Sequence, residues 1–220
     1  MKVGAIITAA GTSTRFGTGG KKEYAILNGR PVLVWSVTAF LKLKVFETIV
    51  LTVPENDMEK VEAMLKSYTD SSEIALTRGG NSRQESVYNG LELLGSYKPD
   101  FVLIHDAARP WIKRDVIMHV LNGTLAHGAC LPIIPVADAL KEIDTQGFVV
   151  KNISRNSVYG AQTPQGFSFE KILTAHRTVR RKGLNGFIDD AEVYSQLYSP
   201  VFTVEGDKQN KKITYKSDIQ

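Results

Sequence analysis

Residues 3–22 read Val3-Gly4-Ala5-Ile6-Ile7-Thr8-Ala9-Ala10-Gly11-Thr12-Ser13-Thr14-Arg15-Phe16-Gly17-Thr18-Gly19-Gly20-Lys21-Lys22. The apolar run from Val3 to Thr8 predicts a fully buried strand. The loop from Ala9 to Lys22 is rich in glycine, which lets a backbone approach a ligand closely, and successive N–H groups can form a concavity for an anion. Arg15 and Lys22 add positive charge. The loop predicts a phosphate grip, although by itself it also fits a surface turn with stray basic residues.

Two familiar phosphate-binding patterns do not match this loop. A P-loop requires serine or threonine after Gly-Lys, and Lys22 follows Gly20-Lys21. The dinucleotide fingerprint G-x-G-x-x-G is broken at Gly11-Thr12-Ser13. A phosphate grip of neither kind, placed after the first strand, points to nucleotidyltransferases of the sugar-nucleotide pyrophosphorylase type.

The first 136 residues alternate predicted strands and helices. The strands are expected at 3–8, 48–53, 73–77, 101–105 and 129–136, and the helices at 31–43, 56–66, 82–94 and 115–126. This alternation predicts an α/β fold with a doubly wound, mostly parallel sheet of the Rossmann-like type. Ligands of such sheets bind outside the carboxyl ends of the strands. The loops Ala9–Lys22 and Asp106–Pro110 are therefore expected to lie together.

The pattern changes after residue 136. Residues 139–162 alternate in the manner of β-strands around the turn Asp144–Gly147. We expect a single domain over residues 1–220, with residues 137–162 as a protruding β-arm suited to dimer contact. An antiparallel edge of the main sheet is the alternative. Helices at 169–182 and 190–197 and a strand at 201–205 follow.

The overall composition is that of an ordinary globular chain. Hydrophobic residues make up 43% and charged residues 23% of 220 residues, and the net charge is +4. This mild basic excess fits a solvated surface or a pocket for small anions better than a nucleic-acid interface. No apolar run approaches the ~18 residues of a membrane span. The lone Cys130 is expected in the core of a protein from a reducing compartment. We therefore expect a cytoplasmic protein without nucleic-acid or membrane partners.

Six segments, in order along nearly the whole chain, carry a resemblance to a known family. They are Ala9-Ala10-Gly11…Arg15, Gly79-Gly80-Asn81-Ser82-Arg83-Gln84-Glu85-Ser86-Val87, His105-Asp106-Ala107-Ala108-Arg109-Pro110, Gln162-Thr163-Pro164-Gln165-Gly166-Phe167, Asp189-Asp190, and Gly206…Asn210-Lys211-Lys212-Ile213-Thr214. Together they resemble the 2-C-methyl-D-erythritol 4-phosphate cytidylyltransferase family. The first segment is shared by many nucleotidyltransferases, whereas the third and fourth are far narrower.

The resemblance implies transfer of CMP from CTP to 2-C-methyl-D-erythritol 4-phosphate. The products would be 4-diphosphocytidyl-2-C-methyl-D-erythritol and pyrophosphate, a step of isoprenoid precursor synthesis in the non-mevalonate pathway. A phosphomonoester acceptor is already ionised near neutral pH, since its second pKa is about 6. The reaction therefore requires alignment of two polyanions and neutralisation of charge rather than a general base. Arginine, lysine and a divalent cation, Mg²⁺, suit that task.

The resemblance also implies roles for individual residues. The residues implied to be catalytic are Arg15, Lys22 and Lys212. The residues implied to bind the nucleotide are Ala9, Ala10, Gly11, Thr12, Gly79, Gly80, Arg83, Ser86 and Ala107. The residues implied to bind the acceptor are Asp106, Arg109 and Arg155, and Asp106 is also implied to hold the metal. Arg155 on the arm would reach the active site of a partner subunit, which implies a homodimer.

Several positions depart from the family pattern. They are Ser13 in place of glycine, Glu23 in place of glutamine, Ala139 and Ile188 in place of threonine, and Gln209 in place of aspartate. The last three lie on the acceptor side, so ribitol 5-phosphate, the acceptor of a sister family, is the alternative substrate. That family more often has valine at the position of Ala108, which favours methylerythritol phosphate here.

Two other classes of protein remain as more remote alternatives. A nucleotide-sugar glycosyltransferase usually has an Asp-x-Asp metal motif after a central strand, and Asp106-Ala107-Ala108 lacks the second acid. A non-catalytic nucleotide sensor would not need Arg15, Lys22, Asp106 and Lys212 together.

Overall fold

A computed structural model describes residues 1–17 and 20–219. Thr18 and Gly19, which belong to the predicted phosphate loop, lie outside the described residues. The strands are β1 (Val3–Thr8), β2 (Ile26–Leu27), β3 (Arg30–Pro31), β4 (Thr48–Val53), β5 (Ile74–Arg78), β6 (Phe101–Asp106), β7 (Ala129–Pro135), β8 (Leu140–Ile143), β9 (Val149–Ile153), β10 (Tyr159–Ala161), β11 (Gln165–Ser168) and β12 (Phe202–Glu205). The helices are α1 (Val32–Leu41), α2 (Met58–Tyr68), α3 (Arg83–Gly95), α4 (Arg114–His127), α5 (Phe169–Arg181) and α6 (Asp190–Ser195).

The main sheet confirms the predicted α/β class. Its strand order is β10-β7-β11-β6-β1-β4-β5, with β12 beside β7. Strand β1 pairs in parallel with β4 and β6, and β4 pairs in parallel with β5. Strand β11 runs antiparallel between β6 and β7, and β10 is antiparallel at the edge. The sheet is therefore mixed but mostly parallel.

Helices cover both faces of the sheet, and β1 shows why its sequence is a continuous apolar run. Ile6 and Ile7 are both fully buried but belong to different core clusters. Ile7 packs in the cluster that includes residues of α1, α2 and α4, and Ile6 in the cluster that includes residues of α3, α5 and α6. A strand covered on both faces has no polar side to alternate with.

Capping residues explain where two helices begin or end. Ser82 caps α3, since its hydroxyl accepts a hydrogen bond from the Glu85 backbone N–H at 3.0 Å. The Glu85 carboxylate accepts a hydrogen bond from the Asn81 N–H at 2.9 Å and not from the Ser82 N–H, so the reciprocal bond of a capping box is made one residue earlier. Helix α4 ends at Gly128, whose φ of 81° is the left-handed conformation of a helix C-cap.

Residues 137–162 combine the two arrangements that the sequence left open. Strands β8 and β9 form a separate antiparallel hairpin, whereas β10 joins the edge of the main sheet beside β7. The hairpin turn includes Gly147 at a φ of 92°. Its large apolar side chains Ile143, Phe148, Val149 and Val150 are exposed. Dimer contact through this hairpin stays a prediction.

Other parts of the chain differ in detail from the prediction. The short β2–β3 hairpin was not predicted, because two-residue strands leave no periodicity to read. Helix α2 begins at Met58 after a 3-10 turn over Glu55–Asp57. Cys130 is fully buried in β7, as expected. Among the residues described, no helix combines the length and apolarity that crossing a bilayer requires.

The close packing of β11 against α4 makes Gly166 a test of the fold. A Cβ added there would overlap the buried Thr124 hydroxyl, whereas a Cβ at Gly160 of β10 would meet its nearest neighbour, Ile134, at 3.5 Å. We expect Gly166→Ala to lower the free energy of unfolding by about 1–3 kcal/mol through overpacking. Gly160→Ala, the control, should change it by less than about 0.5 kcal/mol. Urea unfolding would measure both, and equal effects would show that β11 is not packed as described.

Candidate active site

A pocket of about 350 Å³ opens at the carboxyl ends of β1 and β6. It forms there because parallel strands end at one edge and their loops diverge around it. Its lining residues come from the phosphate loop, the start of α3, the end of β6 and the C-terminal segment. They are Thr8, Ala10, Gly11, Thr12, Lys22, Glu23, Gly80, Asn81, Ser82, Arg83, Ser86, Asp106, Ala108 and Lys212.

Most of the residues predicted from the sequence meet in or beside this pocket. The predicted residues that line it are Ala10, Gly11, Thr12, Lys22, Gly80, Arg83, Ser86, Asp106 and Lys212. Ala9 and Ala107 are fully buried, and their backbone N–H groups donate to Thr52 and Thr8. Arg15 is exposed in a 3-10 turn of the loop.

The Gly79–Ser86 segment brings the start of α3 against the phosphate loop. A Cβ on Gly79 would overlap the side chain of Ala10, so only glycine permits this approach. The Ser86 hydroxyl accepts a hydrogen bond from the Gly80 N–H at 3.0 Å and donates to the Ser82 carbonyl at 2.9 Å. Ser86 therefore shapes the backbone of this wall of the pocket.

Asp106 is the charged centre of the site. Its carboxylate lies 2.7 Å from Lys212 Nζ, 3.2 Å from Arg83 Nε and 3.6 Å from Arg109 Nε. Burial by itself would raise the pKa of this carboxyl, but the three cations outweigh burial and hold the pKa well below its usual value. Asp106 is therefore ionised at neutral pH, and it draws three basic side chains from separate parts of the chain to one point.

Arg83 also binds a second buried carboxylate on its other side. Its Nη2 lies 2.7 Å from Asp190 Oδ2, and His176 Nε2 lies 3.4 Å from Asp190 Oδ1. Burial lowers the pKa of Arg83, but Asp190 and Asp106 outweigh burial and raise it. The guanidinium is thus held between α6 and β6, and its charge is shared by two acids.

A chain of hydrogen bonds supports the Asp106 loop from beneath. The Asp106 N–H donates to Thr163 Oγ1 at 3.1 Å, and the Thr163 hydroxyl lies 3.0 Å from His105 Nδ1. His105 Nε2 lies 3.3 Å from the Arg109 carbonyl. Burial lowers the pKa of His105 to about 3, so the ring is neutral and the Nε2–H donates to that carbonyl. His105 therefore supports the loop through these two contacts.

The C-terminal segment is tied to the same loop. The Ile213 N–H donates to the Ala108 carbonyl at 2.8 Å, and Arg109 Nη1 donates to the Asn210 carbonyl at 2.7 Å. The buried Asn210 side chain donates to the Thr163 carbonyl at 2.9 Å. These bonds place Lys212 beside Asp106.

The two adjacent lysines of the glycine-rich loop, Lys21 and Lys22, are placed differently, and of the two only Lys22 is among the described residues that line the pocket. Lys22 is half-buried, and burial lowers the pKa of its amine, assisted by Lys212 and Arg15 and opposed by Glu23 and Asp106. The amine of Lys21 donates to the Gly11 carbonyl at 3.3 Å and lies 4.0 Å from Asp57. Lys22 rather than Lys21 is therefore directed to the pocket.

The donor set of the pocket fits Mg²⁺ only together with substrate. No group of three acidic, histidine or cysteine side chains suited to hold a metal exists within residues 1–17 and 20–219. Mg²⁺ is commonly bound through one or two carboxylates and the oxygens of substrate phosphates. Asp106 at the end of β6 could supply such a carboxylate to a cation that arrives with a triphosphate.

Arg155 and the three departures on the acceptor side are not among the described residues that line this pocket. The Arg155 guanidinium donates to the Ala137 carbonyl at the base of the hairpin, and Arg155 is absent from the described lining of its own chain's pocket. Ala139, Ile188 and Gln209 are exposed, Ile188 by 86%.

Some residues of the site had no role in the sequence analysis. Thr163, Asn210 and Asp190 stood within segments quoted for the resemblance but carried no assignment. His176 gave no signal at all, because a histidine on the face of an amphipathic helix is typical of a core residue. Glu23 was noted only as a departure from the family pattern.

Comparison with known proteins identifies the family. The family model described as 2-C-methyl-D-erythritol 4-phosphate cytidylyltransferase, IspD, matches residues 3–220. A bifunctional enzyme IspD/IspF of Bradyrhizobium sp. strain BTAi1 is 38% identical over 219 residues, which are 100% of this chain and 55% of that protein. The chain thus spans about half the length of such bifunctional relatives. A 2-C-methyl-D-erythritol 4-phosphate cytidylyltransferase of Bacillus mycoides is 34% identical over 97% of this chain and 93% of its own.

Solved structures share the fold over the whole chain. The 2-C-methyl-D-erythritol 4-phosphate cytidylyltransferase of Thermus thermophilus superposes with a TM-score of 0.79 at 30% identity, covering 100% of this chain and 96% of its own. The 4-diphosphocytidyl-2C-methyl-D-erythritol synthase of Anaerococcus prevotii gives a TM-score of 0.86 at 27% identity, with coverages of 99% and 92%.

The bridge through Arg83 predicts a specific loss of stability. Arg83→Met would leave Asp190 and Asp106 buried with fewer cations, and we expect it to lower the free energy of unfolding at pH 7 by about 3–5 kcal/mol. In the wild type both carboxyls have lowered pKa values, so their contribution is present above the unfolded value near 3.8 and is lost only below it. In the variant the buried carboxyls protonate at higher pH. The deficit should therefore be smaller at pH 4 than at pH 7.

Arg177→Met is the matched control. Arg177 makes a bidentate pair with Glu92 at 2.9 and 3.0 Å, but both side chains are exposed. This surface pair should contribute less than about 1 kcal/mol. Urea unfolding at the two pH values measures both variants. A deficit for Arg83→Met as small as that of the control would contradict the bridge.

Proposed function

Because the chain belongs to the 2-C-methyl-D-erythritol 4-phosphate cytidylyltransferase family, we propose that it transfers CMP from CTP to 2-C-methyl-D-erythritol 4-phosphate. The products are 4-diphosphocytidyl-2-C-methyl-D-erythritol and pyrophosphate, in isoprenoid precursor synthesis. The observation that carries this proposal is the pocket in which the glycine-rich loop and Lys22 face the Asp106–Lys212 pair. It brings a site for a triphosphate and a site for a second anion within one cavity.

The reaction needs charge and alignment more than proton transfer. An oxygen of the acceptor phosphomonoester attacks the α-phosphorus of CTP, the new P–O bond forms, and the bond to the β-phosphate oxygen breaks to release pyrophosphate. The attacking phosphate is already ionised. Lys22 and Arg15 are proposed to neutralise the triphosphate and its transition state, and Lys212 acts between the two substrates.

The nucleotide and acceptor are proposed to occupy different walls of the pocket. Gly79, Gly80 and Ser86 form a wall of backbone groups suited to the polar edge of cytosine. The other nucleotide contacts are proposed for Ala9, Ala10, Gly11, Thr12, Arg83 and Ala107. Arg109, Arg155 and Asp106 serve the acceptor, the two arginines by its phosphate and Asp106 by its hydroxyl groups.

Mg²⁺ is proposed to bind at Asp106 together with the triphosphate. When bound, the cation would neutralise phosphate oxygens. Lys212 and Arg83 already contact the Asp106 carboxylate at 2.7 and 3.2 Å. We infer that these side chains hold the carboxylate in place before substrates enter.

We further propose that residues 1–220 form one domain and that the enzyme is a cytoplasmic homodimer. The exposed apolar side chains of the β8–β9 hairpin support a contact between subunits. Arg155 lies at the base of that hairpin and outside its own pocket, which suits a residue that completes the partner's site. The buried free thiol of Cys130 suits a reducing compartment.

Ribitol 5-phosphate remains the alternative acceptor, because Ala139, Ile188 and Gln209 depart from the family pattern on the acceptor side. The Bacillus mycoides and Thermus thermophilus relatives are named for methylerythritol phosphate, and Ala108 favours the same acceptor.

A pyrophosphate-release assay tests the activity and the acceptor together. Four nucleoside triphosphates should be crossed with methylerythritol phosphate and ribitol phosphate in the presence of Mg²⁺. We expect release only with CTP and methylerythritol phosphate. Release with ribitol phosphate alone would overturn the acceptor, and no release from CTP with either would overturn the cytidylyltransferase.

A mixed-dimer experiment tests the roles of Lys22 and Arg155. Lys22→Ala and Arg155→Ala should each reduce kcat by at least about a hundredfold, because each removes a charge that faces the transition state. If Arg155 acts across the dimer, mixing the two variants with subunit exchange should restore about a quarter of wild-type activity, since half the dimers are mixed and each has one intact site. Absence of restoration would place Arg155 in its own subunit's site.

A further inference from the structure

One acidic side chain lies within the wall proposed to hold the triphosphate. Glu23 lines the pocket beside Lys22, and only 3% of its surface is exposed. This position conflicts with the proposed binding of a triphosphate, because an ionised carboxylate repels the phosphate charge that the lysines of the loop attract. No role in the proposed reaction accounts for this residue.

The contacts of Glu23 place its carboxylate beneath the loop. The Ser13 hydroxyl donates to Glu23 Oε2 at 3.0 Å, and Ser13 Oγ accepts from the Lys22 N–H at 3.4 Å. A Cβ built on Gly11 would lie 3.8 Å from Glu23 Oε1, and apart from its chain neighbours no other atom of the described residues lies within 4 Å. The carboxylate is thus directed toward the first glycine of the loop, where the loop borders the pocket.

The positive charges near Glu23 compensate the charge of its carboxylate only in part. Within the described residues, no lysine or arginine forms an ion pair with its carboxylate, and Lys21 is directed to the Gly11 carbonyl and Asp57. Lys21 and Lys22 act on it at longer range.

Other charged and titratable groups lie near Glu23 and Lys22. Arg15, Asp106 and Lys212 act electrostatically on Lys22. Tyr24 donates a hydrogen bond to Asp57. Burial raises the pKa of Glu23, and its hydrogen bonds and the two lysines offset burial only in part.

We propose that Glu23 couples binding of the nucleotide triphosphate to the uptake of one proton, so that its carboxyl is neutral in the nucleotide complex. This inference rests on the proposed function of the pocket. The proton comes from solvent, and the carboxylate becomes a carboxylic acid. A protonated carboxyl can donate a hydrogen bond, whereas an ionised one only accepts. Protonation therefore replaces a repulsive neighbour of phosphate with a neutral group.

The sign of the pH dependence follows from this exchange. The nearby triphosphate raises the pKa of Glu23 above its value in the free protein. Below the free value the carboxyl is neutral in both states and affinity is constant. Between the free and bound values, affinity falls as pH rises, by up to about tenfold per pH unit. Glutamine at this position has no such proton to gain.

The alternative is that Glu23 stays ionised in the nucleotide complex and only stabilises the loop, through its hydrogen bond with Ser13. In that case no proton is taken up at Glu23 when CTP binds, and Glu23→Gln leaves the pH dependence of CTP affinity unchanged. The two possibilities therefore differ in the number of protons that accompany CTP binding and in whether one isosteric substitution, Glu23→Gln, changes the pH dependence of that binding.

The test is direct CTP binding by titration calorimetry between pH 5.5 and 8.5, with full-length wild type, Glu23→Gln and Glu170→Gln. Glu170 is exposed in the first turn of α5, so its substitution removes the same charge away from the pocket. The γ-phosphate of CTP titrates in this range too, and comparison of variants cancels its contribution. Repeating the titration in buffers of different ionisation enthalpy counts the protons taken up.

We expect Glu23→Gln to bind CTP about tenfold more tightly than wild type at pH 8 and about equally at pH 5.5, with loss of proton uptake by Glu23. Glu170→Gln should follow wild type throughout. Ser13→Ala keeps the Glu23 carboxyl but removes the hydroxyl that donates a hydrogen bond to its ionised form. The pKa of Glu23 in the free protein should therefore rise, and the fall in CTP affinity should begin at a higher pH.

Three results would overturn the inference. They are weaker CTP binding by Glu23→Gln at every pH, an unchanged pH dependence in that variant, and a downward shift or no shift in Ser13→Ala. If none of the folded proteins, wild type included, binds CTP, then the proposed function itself fails and the inference fails with it. Binding of CTP by wild type with any of the three results overturns the role of Glu23 alone.

Discussion

The ion cluster around Asp106 is the interaction on which the candidate site depends. One buried carboxylate at the end of β6 binds Arg83 from α3, Arg109 from its own loop and Lys212 from the C-terminal segment. Without the cations, burial would favour the neutral acid, and without the acid three positive charges would repel one another. The cluster thus holds three separate parts of the chain at one edge of the sheet before any substrate is present.

The same cluster explains how several basic side chains can be held around one pocket. Arg83 is shared with Asp190, so part of its charge is neutralised within the fold, whereas Lys22 lines the open pocket and forms no ion pair within residues 1–17 and 20–219. The site therefore combines charges that organise it with charges that remain available to ligands. Gly79 completes the arrangement by allowing α3 to approach Ala10.

Sequence reasoning predicted most of the sheet and the location of the pocket, because both follow from local pattern and from the rule for parallel strands. The strand β11 between β6 and β7 escaped prediction, since only four residues, Gln165–Ser168, form it. The partners of Arg83 escaped as well. Nothing near Asp190 in sequence shows that it meets an arginine on α3 and a histidine on α5, because those contacts are made only when α5 and α6 pack on the sheet.

The sequence by itself determined the buried strand β1, the alternation that builds the sheet, the Ser82 cap and the chemical kinds of side chain available to the loops. These depend on hydrophobic periodicity and on backbone preferences, which act over a few residues. Only the tertiary structure decided which charges meet. Lys212 reaches Asp106 through packing between segments far apart in the chain, and Glu23 is buried beside Gly11 only once the loop between them has folded. The physical reason is that burial and ion pairing are properties of the assembled interior, where distance and desolvation set both charge state and partner.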